Sequence, residues 1–289
     1  PPPPPPPPPF FTAPAPPDIY TRVGSSAASD VYKRQDLDNV TGTTLINRLN
    51  RQLSEQLYCV LPGFVTEQAL AAMAAEASDL QHQAYHNNSL RNCYLHQQRH
   101  PELPEEHARN LQDRSSTRML AYDQIDAGSP LKTLYHHSGV RALVAGIVGE
   151  GPLYDNEDPY QPANYVCYRN GDESSWHFDA DNSFTMTLMI QPALSGGEFQ
   201  MSPHTREEDK PNYGHVADVL NGNRDDTIIA VGREPGALCI FKGCNSLHRV
   251  TPVSGDSLRI MGVFVYEFSP GVSGDPEVNA TIYGPRTRA

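Results

Sequence analysis

Ser175-Trp176-His177-Phe178-Asp179, joined far downstream by Asn245-Ser246-Leu247-His248-Arg249-Val250-Thr251-Pro252, carries the densest chemistry in this chain. In an extended strand successive side chains alternate between faces, so His177 and Asp179 point one way and Phe178 the other. Two ligands of one metal ion can then share a face. A strand offers only two neighbouring positions there before its rise carries the next side chain away, so a third ligand has to come from elsewhere. His248 is the candidate: it stands at the end of the apolar run Ala237-Leu238-Cys239-Ile240-Phe241, which reads as a buried strand. Two neutral imidazoles and one carboxylate on one side of an ion leave its other side open for chemistry.

Two other histidines, His204 and His215, lie between the clusters, in a polar segment rich in Arg, Glu, Asp and Asn where a solvated loop histidine is expected. His136-His137 ends a predicted helix, where imidazoles meet the last carbonyls. Beyond His248, Arg259 opens the β-branched and aromatic run to Phe268, a predicted strand, and shares a face with Met261, Val263 and Val265. An arginine at the edge of an apolar interior calls for an anion, and its fork suits a carboxylate held by two bonds.

Together, His177-Phe178-Asp179, His248 and Arg259 resemble the iron and 2-oxoglutarate site of the Fe(II)/2-oxoglutarate-dependent dioxygenases. Gly171-Asp172 ahead of Trp176-His177, Gly196-Gly197-Glu198-Phe199, Pro235-Gly236-Ala237-Leu238, Phe241-Lys242-Gly243 and Asn245 to Pro252 resemble one branch in particular. That branch holds the halogenases and hydroxylases of free amino acids, among the prolyl-hydroxylase-like oxygenases, and the resemblance runs from about Leu57 to the C-terminus. It implies Fe(II) on His177, Asp179 and His248, 2-oxoglutarate with its far carboxylate on Arg259, O2 as oxidant, and ascorbate as a useful addition in vitro. Succinate and carbon dioxide would be the by-products. The halogenases of the family carry a small residue, usually glycine, where this chain has Asp179, and so keep a coordination position for chloride. A carboxylate there implies hydroxylation instead. The implied fold is mainly β with α (α+β): a double-stranded β-helix, or jelly-roll, with N-terminal helices packed on one sheet.

The chain has 289 residues and a formal charge of −12, which argues against nucleic acid and for a small-molecule substrate. No run is long and apolar enough for a membrane span, and no basic n-region precedes an apolar one. Five cysteines, Cys59, Cys93, Cys167, Cys239 and Cys244, lack metal-type spacing and read as reduced thiols of a cytoplasmic protein. Residues 1–36 are expected to form a disordered Pro-rich segment: Pro1 to Pro9 is a homopolymer, and Ser25 to Gln35 resembles a translated sequencing adapter. The remainder, 37–289, fits one oxygenase domain.

Along that domain, Leu45, Ile46, Leu49 and Leu53 repeat at helical spacing between Thr41 and Gln56. Leu57 to Val60 is a short predicted strand, and Thr66 caps a helix running to about Leu80. Gln81 to Gln112 is polar throughout and reads as a long loop near the site mouth. A strand is predicted over Arg118 to Ile125, a helix from Ser129-Pro130, and another from Ser138 that Gly149 closes. Asn164 to Tyr168 alternates as the strand leading into Gly171-Asp172. Phe184 to Ile190, apolar and threonine throughout, is a strand buried on both faces. Gly196-Gly197 turns the chain and Glu198 to Met201 returns it. The polar insertion Pro203 to Asp226 carries a helix, Tyr213 to Leu220, and is either a lid or a surface excursion.

Tyr168 has two open roles, a hydrogen bond to the 2-oxoglutarate carboxylate or plain strand packing. For a substrate carboxylate the available cations are Arg114 and Arg118 beside a predicted strand, with solvated strand-end charges as the alternative. Glu173 or Asp181, flanking the metal strand, would meet an amino end. Two further readings stay open: a peptidyl or protein prolyl-type hydroxylase, and a cupin-like metal enzyme that does not use 2-oxoglutarate.

Overall fold

The computed structural model describes residues 40–179, 184–207 and 209–288; the Pro-rich segment and Asp181 therefore lie outside the described residues. Helix α1 (Val40–Gln56) buries the expected stripe, with Leu49 and Leu53 each 1% exposed. Strand β1 (Tyr58–Leu61) follows. Helix α2 (Glu67–Leu80) starts at Thr66, whose hydroxyl accepts from the Ala69 N–H at 3.2 Å. Next come β2 (Tyr85–Asn92), β3 (Gln112–Leu120), α3 (Pro130–Tyr135) and α4 (Ser138–Val148), the last closed by Gly149 at φ +80°. The strands continue as β4 (Tyr154–Asp155), β5 (Ala163–Tyr168), β6 (Ser174–His177), β7 (Thr185–Gln191), β8 (Ser195–Gly196) and β9 (Phe199–Ser202). Helix α5 (Tyr213–Leu220) leads to β10 (Ile229–Ala230), β11 (Leu238–Phe241), β12 (Leu247–Val250), β13 (Val253–Ser254), β14 (Arg259–Phe264) and β15 (Tyr266–Glu267). Helix α6 (Pro276–Tyr283) closes the domain, its first turn capped by the Asp275 carboxylate.

The described strands build two main antiparallel sheets, in the orders β1-β11-β7-β14-β5-β3-β2 and β10-β9-β12-β6, and two short ribbons, β13-β8 and β15-β4. Burial falls into three layers. On the outer side of the large sheet, Leu188, Ile240, Ile260, Tyr165 and Leu120 pack against α1 to α4, forming the main core. Between the sheets, Val166, Tyr168, Cys239 and Phe241 of the large sheet meet Phe199, Met201 and Val250 of the small one. Behind the small sheet, Trp176 and Leu247 are covered by Cys93, Ala108 and the Val216 and Val219 pair of α5. This is the jelly-roll, with N-terminal helices packed on one sheet, that the family resemblance implied. Among the described residues no helix is long and apolar enough to cross a membrane.

Four local expectations are corrected. Polar Gln81 to Gln112 is not all loop: β2 runs the length of β3, paired from Tyr85–Met119 to Asn92–Gln112. The strand expected over Arg118 to Ile125 begins at Gln112 and stops at Leu120, where Ala121 and Gln124 close a short 3-10 turn. His248 does not end the Ala237–Phe241 strand; the chain crosses at 242–246 into the second sheet, and His248 has its own strand, β12. Finally, α6 was not expected at all; it packs on β2 and β3, and its Thr281 carbonyl accepts from Asn87 at 3.1 Å.

Candidate metal centre

His177 ends β6 directly across from His248 on β12, the two being register partners in the small sheet. Past the end of β6 the chain stays pinned, because Phe178 N–H donates to the Cys93 carbonyl at 2.8 Å and Asp179 N–H to the Gly243 carbonyl at 3.2 Å. Asp179 is thereby delivered to the same point. Its Oδ1 lies 3.4 Å from His248 Nε2 and 3.8 Å from His177 Nε2, and the three ligand atoms all fall within 4.8 Å of one another.

Both imidazoles are aimed by their own strands. His177 Nδ1 meets the Ser175 carbonyl at 2.8 Å, and His248 Nδ1 meets the Ser246 carbonyl at 2.9 Å. A carbonyl can only accept, so in each ring Nδ1 carries the proton and the Nε2 lone pair faces the centre. Burial, followed by the neighbouring His248, pushes His177 down to about 3, which keeps it neutral as a metal ligand must be. For Asp179, burial opposes the charge, but His248, His177 and a hydrogen bond from the Thr185 hydroxyl outweigh it and hold the carboxyl well below the usual range. The result is two lone pairs and a carboxylate converging on one point. A divalent cation is what such a donor set fits, and two imidazoles with one carboxylate suit non-haem iron.

The seat of Asp179 is shaped by a missing side chain. A Cβ on Gly243 would overlap Asp179 Oδ2 and stand 2.7 Å from Cγ, so only glycine admits the carboxylate here. The rings of Phe199 and Phe241 lie 5.7 and 5.0 Å from His248 and wall the centre on the interior side.

Deeper in the roll, Arg259 is 0% exposed and faces inward from the start of β14. Its Nε donates to the Gly197 carbonyl at 2.8 Å, while Nη1 and Nη2 have no partner. Gly197, at φ +65°, is again obligatory, since a Cβ there would lie 2.8 Å from Arg259 Cδ. Tyr168, the register partner of Arg259, is buried with its ring 5.0 Å from the guanidinium carbon. Burial, opposed by Tyr168 and reinforced by Arg233, pulls Arg259 down to about 10, so it remains charged. Two donors of a buried cation without an acceptor are the fit expected of a site for a carboxylate.

Arg114, Arg118 and Glu173 are not brought to this centre. Arg118 is registered with Cys167 of the helix-side core, on the face of β3 opposite Met119, and its Nε donates to the buried Asp172 at 2.9 Å. Arg114 bonds Asn88 at 3.1 Å and lies 4.0 Å from Glu173, whose backbone is bridged to Ser116. Arg118→Met is accordingly expected to cost about 2–3 kcal/mol of stability, by leaving Asp172 without its cation, and to leave substrate KM unchanged. Urea unfolding and steady-state kinetics check this, and a raised KM at full stability would return Arg118 to the substrate pocket.

Two arginines that sequence reasoning passed over do face inward. Arg91 on β2 bonds Ser115 at 2.9 Å and keeps a buried, unpartnered Nε; its charge acts on both Tyr168 and His177. Arg233 precedes β11 and has two such nitrogens. Arg91 sits in a polar stretch of sequence and Arg233 in a Gly-Pro turn, where charge ordinarily means solvent, so no local signal marked them. The insertion Pro203 to Asp226 braces the centre from behind: Arg206 stacks 4.0 Å over Phe178, and its Nε donates to the Cys244 carbonyl at 2.5 Å. Neither His204 nor His215 joins the triad; His204 bonds the Glu55 carbonyl at 3.1 Å.

Residues 41–275 match the halogenase D family. Among curated proteins none matches the chain. Solved structures resemble it at low identity. One is the prolyl hydroxylase of Trichoplax adhaerens in complex with a hypoxia inducible factor peptide fragment, at 14% identity and TM-score 0.52 over 82% of this chain and 94% of that one. A second is the non-heme alpha ketoglutarate dependent epimerase SnoN from nogalamycin biosynthesis, at 15% identity and TM-score 0.53 over 81% and 92%. A third is AviO1 from Streptomyces viridochromogenes Tue57, at 14% identity and TM-score 0.52 over 80% and 97%. At that identity these likenesses speak for the fold, and the family match spans most of the chain. The protein belongs to the halogenase D family and carries the fold of the 2-oxoglutarate/Fe(II) oxygenases.

Proposed function

We propose that the protein is an Fe(II)- and 2-oxoglutarate-dependent dioxygenase that hydroxylates an unactivated C–H bond of a small substrate, a free amino acid being the expected class. One observation carries the reading: two imidazoles and a carboxylate converge in a roll that also holds a fully buried arginine whose terminal nitrogens have no acceptor. Fe(II) held by His177, Asp179 and His248, with 2-oxoglutarate and O2, would supply the oxidising power to replace C–H by C–OH, with succinate and carbon dioxide released.

The chain's own part is positioning and exclusion of water. Ser175 and Ser246 carbonyls hold the imidazoles in the ligating tautomer, and Thr185 ties down the outer oxygen of Asp179. Arg259 takes the far carboxylate of the co-substrate, with Tyr168 beside it. Arg91, whose charge acts on His177 from β2 and whose Nε has no partner, is left for a carboxylate of the substrate. That assignment supports a free amino acid over a peptidyl substrate, whose backbone carboxyl is blocked. Hydroxylation rather than halogenation is supported by Asp179 and its glycine-shaped seat, since a carboxylate fills the coordination position a halide needs.

The test is aerobic incubation with Fe(II), ascorbate, 2-oxoglutarate, chloride and a panel of free amino acids, following succinate and product mass together. A one-oxygen gain on one amino acid with matching succinate is expected. Chlorinated product would sink the hydroxylase reading, and no succinate above background with any amino acid would move the search to peptidyl substrates. Failure of 2-oxoglutarate to bind the metal-loaded protein would favour a cupin-like enzyme.

A further inference from the structure

Arg233 enters the roll from the loop between β10 and β11, and two contacts fix it there. Its Nη1 donates to the Thr187 hydroxyl on β7 at 3.1 Å, and its guanidinium carbon lies 4.1 Å over the Phe199 ring. Nε and Nη2 are buried without an acceptor. A guanidinium tethered at one nitrogen and stacked on a ring holds its remaining donors in fixed directions, and here they are aimed at nothing in the protein.

The charges around it sharpen the point. Arg233 lies close enough to Arg259 to lower it, and both act on Tyr168. Among the described residues, the charges that bear on Arg233 and Arg259 are those of Tyr168 and Cys239, with Arg233 bearing on Arg259, and no carboxylate is among them. Two like charges in a mostly apolar interior, with four donor nitrogens unmatched between them, are costly until an anion joins them. Arg91 bears on Tyr168 too, but it also acts on His177 and is tied to Ser115, with one unpartnered nitrogen where Arg233 has two.

Resting on the 2-oxoglutarate reading above, we propose that Arg233 is a second guanidinium for the co-substrate's far carboxylate, which it and Arg259 hold between them. The clamp makes the pocket selective for 2-oxo acids that end in a carboxylate. It also couples the co-substrate to the metal centre through one rigid ring, because Phe199 lies under Arg233 and 5.7 Å from His248.

Anaerobic titration calorimetry on the Mn(II)-loaded protein tests this without turnover. Arg233→Gln is expected to weaken 2-oxoglutarate about 10- to 100-fold, and to leave the binding of 2-oxopentanoate, which has a methyl in place of the far carboxylate, unchanged. Arg233→Lys, with the charge but not the fork, should recover part of the loss. An Arg233→Gln protein that melts lower but binds 2-oxoglutarate as wild type does would make Arg233 a packing residue and overturn the proposal. Equal weakening of both oxo acids would overturn it too. Wild-type protein that binds 2-oxoglutarate no better than 2-oxopentanoate would instead remove the co-substrate reading, and the clamp with it.

Discussion

Asp179→Ala is expected to lower hydroxylation by at least about 1000-fold while leaving the fold intact. In the proposed set the carboxylate supplies one of three ligands and, among the described residues, the only negative charge at the centre, and alanine opens its coordination position and leaves the charge of the ion unbalanced. Gly243→Ala reaches the same atom from outside. Gly243 does not have a positive φ, so alanine meets no backbone strain there, and by stiffening the unfolded chain it even favours folding. Its Cβ, however, claims the space of Asp179 Oδ2 and must push the carboxylate off the Thr185 hydroxyl. Fe(II) affinity should fall about 10- to 100-fold with no loss in melting temperature, a pairing that calorimetry and thermal unfolding read separately. Retention of full activity by Asp179→Ala would remove the proposed ligand set.

The triad was legible because it is written in the plainest code a strand has. Period-two alternation drew His177 and Asp179 to one face, and the structure brings both to one point, although β6 stops at His177 and His248 lies on a strand of its own beyond the predicted one. Arg259 stood out as a single charge at the head of an apolar run. The inner face of β2 and β3 gave no such contrast. Ser89, Arg91, Ser115 and Thr117 are polar yet point into the roll, while Ser116 on the opposite face is buried as well, so neither face reads as apolar. That absence hid β2 and turned attention to Arg118, which binds Asp172 on the wrong side of the sheet. Arg233 was hidden for another reason: it stands in a loop, and only the closing of β10 and β11 around the interior carries it inward. Long-range packing, not local pattern, decides whether such a charge is solvated or buried.

Arg259→Met should separate what this residue does for the fold from what it does for the ligand. Without an anion, Arg259 is a fully buried charge with two unmatched donors, and it stands beside Arg233. Replacing such a group by an apolar side chain of similar length is expected to stabilise the ligand-free protein by about 1–3 kcal/mol, because a desolvated cation without a partner is removed. The same change takes away the fork that would meet the far carboxylate, so 2-oxoglutarate KM should rise about 100-fold or more, as when one side of a buried charge pair is truncated. Opposite signs in the two measurements are the mark of a ligand-binding cation. A structural arginine would behave otherwise: losing its bond to the Gly197 carbonyl would lower stability, and KM would follow only as far as the fold loosened. Thermal unfolding in the absence of ligand, set beside succinate release at graded 2-oxoglutarate, distinguishes the two, and a less stable Arg259→Met with unchanged KM would take the co-substrate away from this end of the roll.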